Sequence, residues 1–210
     1  KLENPMNPDQ LFLRTSLVPN ILKNVKENLK NFKELEVFEI GKTYFQEGEV
    51  LPKEKTILVG AVATEENDNA SGFYKAKGYV EGLFSKLGIS EIGFSVEEIP
   101  QMFHSKRTAN IVKGGKIIGI IGEIIPSVLE KYAIKKRVVI FEFDIEILME
   151  ISLKNREFVL IRKYPVSNRD ISMIAKSEIV VDDIIKNIQK SGGDLVLNIE
   201  LFDVFHFKEK

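Results

Sequence analysis

Cysteine and tryptophan are both missing from the 210 residues. Without cysteine there is no disulfide, no zinc–thiolate site and no thiol nucleophile. A cysteine-free chain suits a reducing cytoplasm. Histidine is nearly absent too: His104 and His206 stand far apart, which leaves an imidazole metal centre without a ligand set. His104, before Ser105-Lys106-Arg107, reads as a loop or surface residue. An excess of one charge is also lacking. Thirty basic residues against thirty-one acidic ones give a net charge of −1. That excludes a uniformly basic nucleic-acid coat but not a local contact patch. No apolar run approaches the roughly 18 residues that a membrane span requires. The opening Lys1-Leu2-Glu3-Asn4-Pro5 has neither Met nor a signal-peptide pattern and reads as a cut edge. What remains, 44% hydrophobic and 29% charged, is an ordinary globular composition, enough for one large domain or two small ones.

Periodicity supplies the elements. After Pro19, the residues Ile21, Leu22, Val25 and Leu29 fall at helical spacing, with Lys23, Lys26 and Lys30 on the other side as a solvated face. Residues 35–40 read as a strand ending at Gly41, and 57–63 as a strand buried on both faces. Phe73, Ala76, Val80, Leu83, Phe84 and Leu87 form a helical stripe that Gly88 stops. Residues 109–112 and 116–121 flank Gly114-Gly115, a strong hairpin signal. A short helix over 126–132 and a strand over 138–145 follow. Residues 151–162 are mixed in character and read as a linker. Beyond them come a strand (169–175), a helix carrying Val181, Ile184, Ile185 and Ile188 on one face, and a strand (195–205). Asp182 and Asp183 sit at that helix's start, where the macrodipole favours them.

Two runs near the end carry more specific information. They are Tyr164-Pro165-Val166-Ser167-Asn168-Arg169-Asp170-Ile171-Ser172 and Leu201-Phe202-Asp203-Val204-Phe205. Together they resemble the anticodon-binding domain of the bacterial phenylalanyl-tRNA synthetase β subunit. Near the start, Leu13-Arg14-Thr15-Ser16-Leu17-Val18-Pro19 and Leu35-Glu36-Val37-Phe38-Glu39-Ile40-Gly41 resemble the same family's class II synthetase-like domain. Further matches follow in order: Phe73-Tyr74-Lys75-Ala76-Lys77-Gly78, Phe103-His104-Ser105, Ile118-Gly119-Ile120-Ile121-Gly122-Glu123 and Phe141-Glu142-Phe143. Each is weak alone; in the family's order they are strong.

The resemblance implies an α+β chain. Residues 1–150 are expected to form a non-catalytic class II synthetase-like core, an antiparallel sheet with flanking helices. Residues 151–163 would be the linker, and 164–210 the first half of a ferredoxin-like anticodon-binding domain. In that fold the first two strands are not neighbours, and the chain reaches Lys210 before a third. Direct pairing of the two strands, or a strand from another chain, is therefore expected to supply the missing ladder. The implied function is that of a cytoplasmic aminoacyl-tRNA synthetase subunit, part of phenylalanine–tRNA ligase. In this family an (αβ)₂ heterotetramer charges tRNA(Phe), and the α subunit uses ATP and Mg²⁺; this region would hold no cofactor or metal. The first helix and its neighbouring strands are expected to pack against α and to leave an apolar patch in its absence.

The same resemblance suggests why this core is silent. An active class II core sets an Arg against the adenylate phosphates after the strand that residues 37–40 resemble. Here Gln46 stands in its place, and an amide cannot do a guanidinium's work. The glycine-rich strand 119–122 ends in Glu123, a negative charge where a positive one is needed. No catalytic residue is assigned. Candidate tRNA-phosphate contacts are Arg162, Lys163 and Arg169, with structural ion pairs as the plainer role. Asp170 reads as a turn residue. Two other classes stay open: a stand-alone ligand-binding or regulatory α+β module, and a small hydrolase, for which no nucleophile motif is present.

Overall fold

The computed structural model describes residues 4, 11–46, 51–65, 70–152, 164–176 and 178–205. The chain divides into two compact units, residues 1–158 and 159–210.

The first unit begins with α1 (Val18–Asn28). Pro19 lies in its first turn, and the Ser16 hydroxyl accepts from the Val18 amide at 3.1 Å. Val18, Ile21, Leu22 and Val25 form its buried stripe. Strands β1 (Leu35–Phe45) and β2 (Lys53–Thr64) pair antiparallel throughout. Helix α2 (Ser71–Leu87) ends at Gly88, whose φ of +67° lets the Ile89 amide reach the Phe84 carbonyl at 2.9 Å. The short β3 (Gly93–Ser95) precedes β4 (Phe103–Lys113) and β5 (Lys116–Ile124). Gly114 and Gly115, both at positive φ, make the tight turn between β4 and β5. Helix α3 (Pro126–Lys131), strand β6 (Arg137–Asp144) and helix α4 (Ile145–Ile151) complete the unit.

The strand order is β1-β2-β6-β5-β4-β3. Thus β6, the last strand made, lies between β2 and β5 and is antiparallel to both. Two cores result. On one face α1 covers Val59, Ala61, Ala63, Val138, Ile140 and Ile124. On the other, α2 and α4 cover Leu58, Val62, Ile121, Val139, Phe141 and Phe143. The second core is keyed by two glycines. Phe141 faces Gly60 of β2 across the ladder, and Phe143 faces Gly119 of β5. Each ring lies over its glycine, where a Cβ would collide with it. Phe84 of α2 then meets Phe143 edge to face, centroids 5.3 Å apart.

Several expectations need correction. Helix α4 was unforeseen; the Asp144 carboxylate caps it by accepting from the Glu146 amide at 2.9 Å, a local signal legible in the sequence. The expected linker, 151–163, lies outside the described residues apart from Ile151 and Ser152. The apolar stripe of α1 is buried against its own sheet, so its outward face is polar. The neighbouring edge strand does carry uncovered apolar residues: Phe38 and Ile40 of β1 are 73% and 56% exposed.

In the second unit, α5 (Val181–Gly192) is present, with Ile184, Ile185 and Ile188 half-buried. Ile188 and Gly192 share a shallow apolar concavity with Ile171 and Val196. The strands expected over 169–175 and 195–205 do not form a ladder with each other, and among the described residues no strand is found there. In a ferredoxin-like order these segments are separated by another strand, so neither is the other's natural partner.

The keying of Phe143 makes a clear prediction. Gly119→Ala would set a methyl into the Phe143 ring and 2.7 Å from the Glu142 carbonyl oxygen. It should lower unfolding free energy by about 2 kcal/mol, read by denaturant titration. Ala at Gly82, whose Cβ would meet nothing, should cost nothing comparable.

Candidate functional site

Adenylate chemistry depends on cations that meet a nucleotide's phosphates. Glu123, at the end of β5, is only 5% exposed. It pairs with Arg137 of β6 and, at 3.0 Å, with Arg107 of β4. Burial alone would raise its pKa, but the two guanidiniums outweigh this and hold the carboxyl below its ordinary range. Here Glu123 sets its negative charge against both guanidiniums. Gln46 lies just past β1, exposed. Cross-strand register puts Glu123 level with Val139, Val62 and Glu36, ten residues along β1 from Gln46. At about 3.3 Å per residue the two positions lie roughly 30 Å apart. The structure does not bring them together into one site.

The α1 face carries a second buried carboxylate. Glu142 sits between Val59 and Ile120 in the central row of the sheet. Its Oε2 is buried and has no hydrogen-bond partner, and burial pushes its pKa up. In the same row, beyond Val59, Glu39 has a partner: Arg14 Nη1 donates to it at 2.7 Å. The Arg14 guanidinium lies over Gly41, in space that any Cβ there would fill, and Arg14 Nε donates to the Lys42 carbonyl at 2.9 Å. The Arg14 of the N-terminal motif thus clips the entry to α1 onto strand β1.

Of the proposed tRNA contacts, Arg162 and Lys163 lie outside the described residues, as does His206. Arg169 is exposed, and its guanidinium donates to the neighbouring Asn168 carbonyl at 3.0 Å. No ion pair of Arg169 or Asp170 is found among the described residues. His104 is a partly exposed surface residue, not in a loop but in β4, where the register breaks between Phe103 and Thr108, and its Nδ1 accepts from the Lys106 amide at 3.2 Å. Among the described residues no three His, Asp or Glu side chains converge as metal ligands. No described helix is long and apolar enough to cross a membrane. One grouping was invisible in the sequence: Lys26 of α1 meets Lys135 and Lys136, more than a hundred residues later, around one concavity.

Two family models match the chain. Residues 1–145 fit the phenylalanyl tRNA synthetase beta chain CLM domain, and residues 162–210 the ferredoxin-fold anticodon binding domain. Among curated proteins, the phenylalanine–tRNA ligase beta subunit of Clostridium acetobutylicum is 31% identical over the whole chain. That of Thermotoga maritima is 32% identical over 99% of it, and that of Bacillus subtilis 31% over 96%. The chain spans about a quarter of these relatives' length, 26%, 27% and 26% respectively. Among solved structures, a pyrrolysyl tRNA synthetase of Desulfitobacterium hafniense aligns with 66% of this chain and 49% of its own, with a TM-score of 0.52 at 20% identity. At that identity the likeness concerns the fold.

The two carboxylates should respond oppositely to removal of their charge. Glu123→Gln strips the carboxylate that two arginines share and should destabilise by on the order of 3 kcal/mol in a denaturant melt. Glu142→Gln should stabilise at neutral pH, by on the order of 1 kcal/mol, because a buried unpaired acceptor loses its charge. The sign follows from the raised pKa of Glu142. Its carboxyl is no handicap below the unfolded value near 4.5 and becomes one as pH rises through the higher folded value. The gain in Tm should therefore shrink to nothing on acidification below pH of about 4.

Proposed function

The chain belongs to the phenylalanyl-tRNA synthetase β-chain family, and on that premise we propose that it is a non-catalytic part of phenylalanine–tRNA ligase. In this reading it supports an α subunit that activates phenylalanine with ATP and Mg²⁺, and it offers a surface to tRNA(Phe), in the cytoplasm and within an (αβ)₂ heterotetramer. Residues 1–150 serve as the scaffold, 151–163 as the connection, and 164–210 as the start of the anticodon-binding module.

The observation that carries the reading is the fate of Glu123. Adenylate formation needs a free cation where negative charge builds up. At Glu123 two guanidiniums are present, but a buried carboxylate occupies both. At Gln46 the side chain is neutral and exposed. The sheet therefore keeps the architecture of a synthetase core with its phosphate-binding charges either spent or missing. No cofactor is assigned to this chain, and Arg162, Lys163 and Arg169 remain its candidate anticodon-side phosphate contacts.

A scaffold also needs a docking surface. Phe38 and Ile40 leave an apolar strip on the edge strand β1, beside Tyr79 and Lys75 of α2, both of which bond to Glu36. An exposed apolar strip on an open sheet edge suits subunit association. The alternative, a stand-alone ligand-binding module, has no enclosed cavity among the best-formed concavities to support it.

Two measurements test the proposal. Phenylalanine-dependent pyrophosphate exchange with ATP and Mg²⁺ should stay at background with this chain alone. Mixing with the catalytic α subunit should give a stable complex by light scattering. Exchange above background, or a chain that stays monomeric beside α, would overturn the reading.

A further inference from the structure

The chain is almost neutral, yet two of its segments are not. Residues 23–33 carry Lys23, Lys26, Lys30 and Lys33 against Glu27 alone. Residues 130–137 carry Lys131, Lys135, Lys136 and Arg137 against Glu130 alone. Folding brings these segments together. Lys26, Lys135 and Lys136 line a concavity of about 210 Å³ whose floor is Leu29, Ala133 and Ile134. Ala133, at a φ of +54°, turns the chain after α3 just before Lys135 and Lys136. Lys136 fastens the two segments: its Nζ donates to the Lys33 carbonyl and, at 2.9 Å, to Glu65.

Of three nearby carboxylates, two are engaged outside the concavity and one by Lys136 itself. Glu27 pairs with Lys30, Glu65 with Lys136, and Glu34 with Lys75 at 3.6 Å. Lys26 and Lys135 have no ion-pair partner among the described residues, so their charges are available. The concavity is smaller than the roughly 300–1,000 Å³ typical of small-molecule sites. It is large enough for a phosphate group. Phe32, one residue from the carbonyl that Lys136 holds, is 55% exposed and offers a face on which a base can stack.

We infer that Lys26 and Lys135, held side by side through the Lys136 fastening, form a contact site for RNA backbone phosphate on the first unit, separate from the anticodon-binding module. The inference rests on the tRNA-platform reading above. An exposed aromatic beside unpaired lysines favours RNA over an acidic protein. Lysines here act as point charges against phosphates: they add affinity and fix position without reading sequence.

The test is binding of a tRNA(Phe) transcript to the full chain over a salt series, followed by fluorescence anisotropy. Lys26→Ala with Lys135→Ala should lower affinity on the order of tenfold and reduce the salt slope by about 2, one released counterion per lysine. Lys116→Ala, at the β4–β5 hairpin, should change neither. Both lysines are exposed, so thermal melts should match wild type. Wild-type binding with a slope that the double variant leaves unchanged overturns this inference alone. No tRNA binding by wild type overturns both it and the platform reading. A double variant that binds tRNA normally but fails to join the catalytic subunit overturns it in favour of an acidic protein surface.

Discussion

The first unit depends on how one strand is seated. Strand β6 joins two separately connected pieces of sheet, the β1–β2 pair and the β3–β4–β5 meander. It comes last in sequence and enters the middle. Its Phe141 and Phe143 fill the places left by Gly60 on one side and Gly119 on the other. This is a lock with few alternatives. Shifting β6 by one residue would turn both rings to the α1 face and set Glu142 against α2. A shift by two would keep the face but bring only one ring opposite a glycine, leaving the other against residues that carry a Cβ. The glycines thus weaken their own strands slightly and fix the register of the third.

Seating β6 this way forces the alternation that leaves Glu142 on the α1 face. Its neighbours there are the aliphatic Val59 and Ile120, and one of its oxygens finds no donor. Glu123 has two guanidinium partners. The contrast separates two effects of burial. Both carboxyls lose hydration, which raises the pKa; only Glu123 recovers it through opposite charge. The presence of Arg107 and Arg137 beside Glu123, and of no such partner beside Glu142, sets the direction of each shift.

Much of the first unit was legible because its signals are local. The Gly88 stop of α2, the Gly114-Gly115 turn and the apolar run of β2 each depend on residues close in sequence, and each is found in the structure. Helix α4 was equally local and was missed because its cap, Asp144, is also the last residue of β6 and was absorbed into the strand. What sequence could not supply was long-range. The glycine under each phenylalanine lies 81 residues from its ring in one case and 24 in the other, a relation that no periodicity reveals. The strands expected in the second unit failed for a related reason. An extended apolar segment becomes a strand only where a ladder partner exists, and the pattern of residues 169–175 says nothing about one. The lysine grouping was hidden in the same way: Lys23, Lys26 and Lys30 read as a solvated face until Lys135 and Lys136 stand beside them.

The sheet also keeps its two unfinished surfaces apart. Phe38 shares a row with Gly60 and Phe141 and so belongs to the α2 face. Lys26 belongs to α1, which packs on the opposite face. The apolar strip and the basic concavity are therefore separated by the thickness of the sheet and of the helix on it. Their chemistries also differ: burial of Phe38 and Ile40 is not screened by salt, whereas attraction to Lys26 and Lys135 weakens as salt rises. A protein partner on one side and a polyanion on the other need not compete for space, and each can be disturbed without the other. If both surfaces serve as proposed, one face of the sheet works by hydrophobic contact and the other by charge.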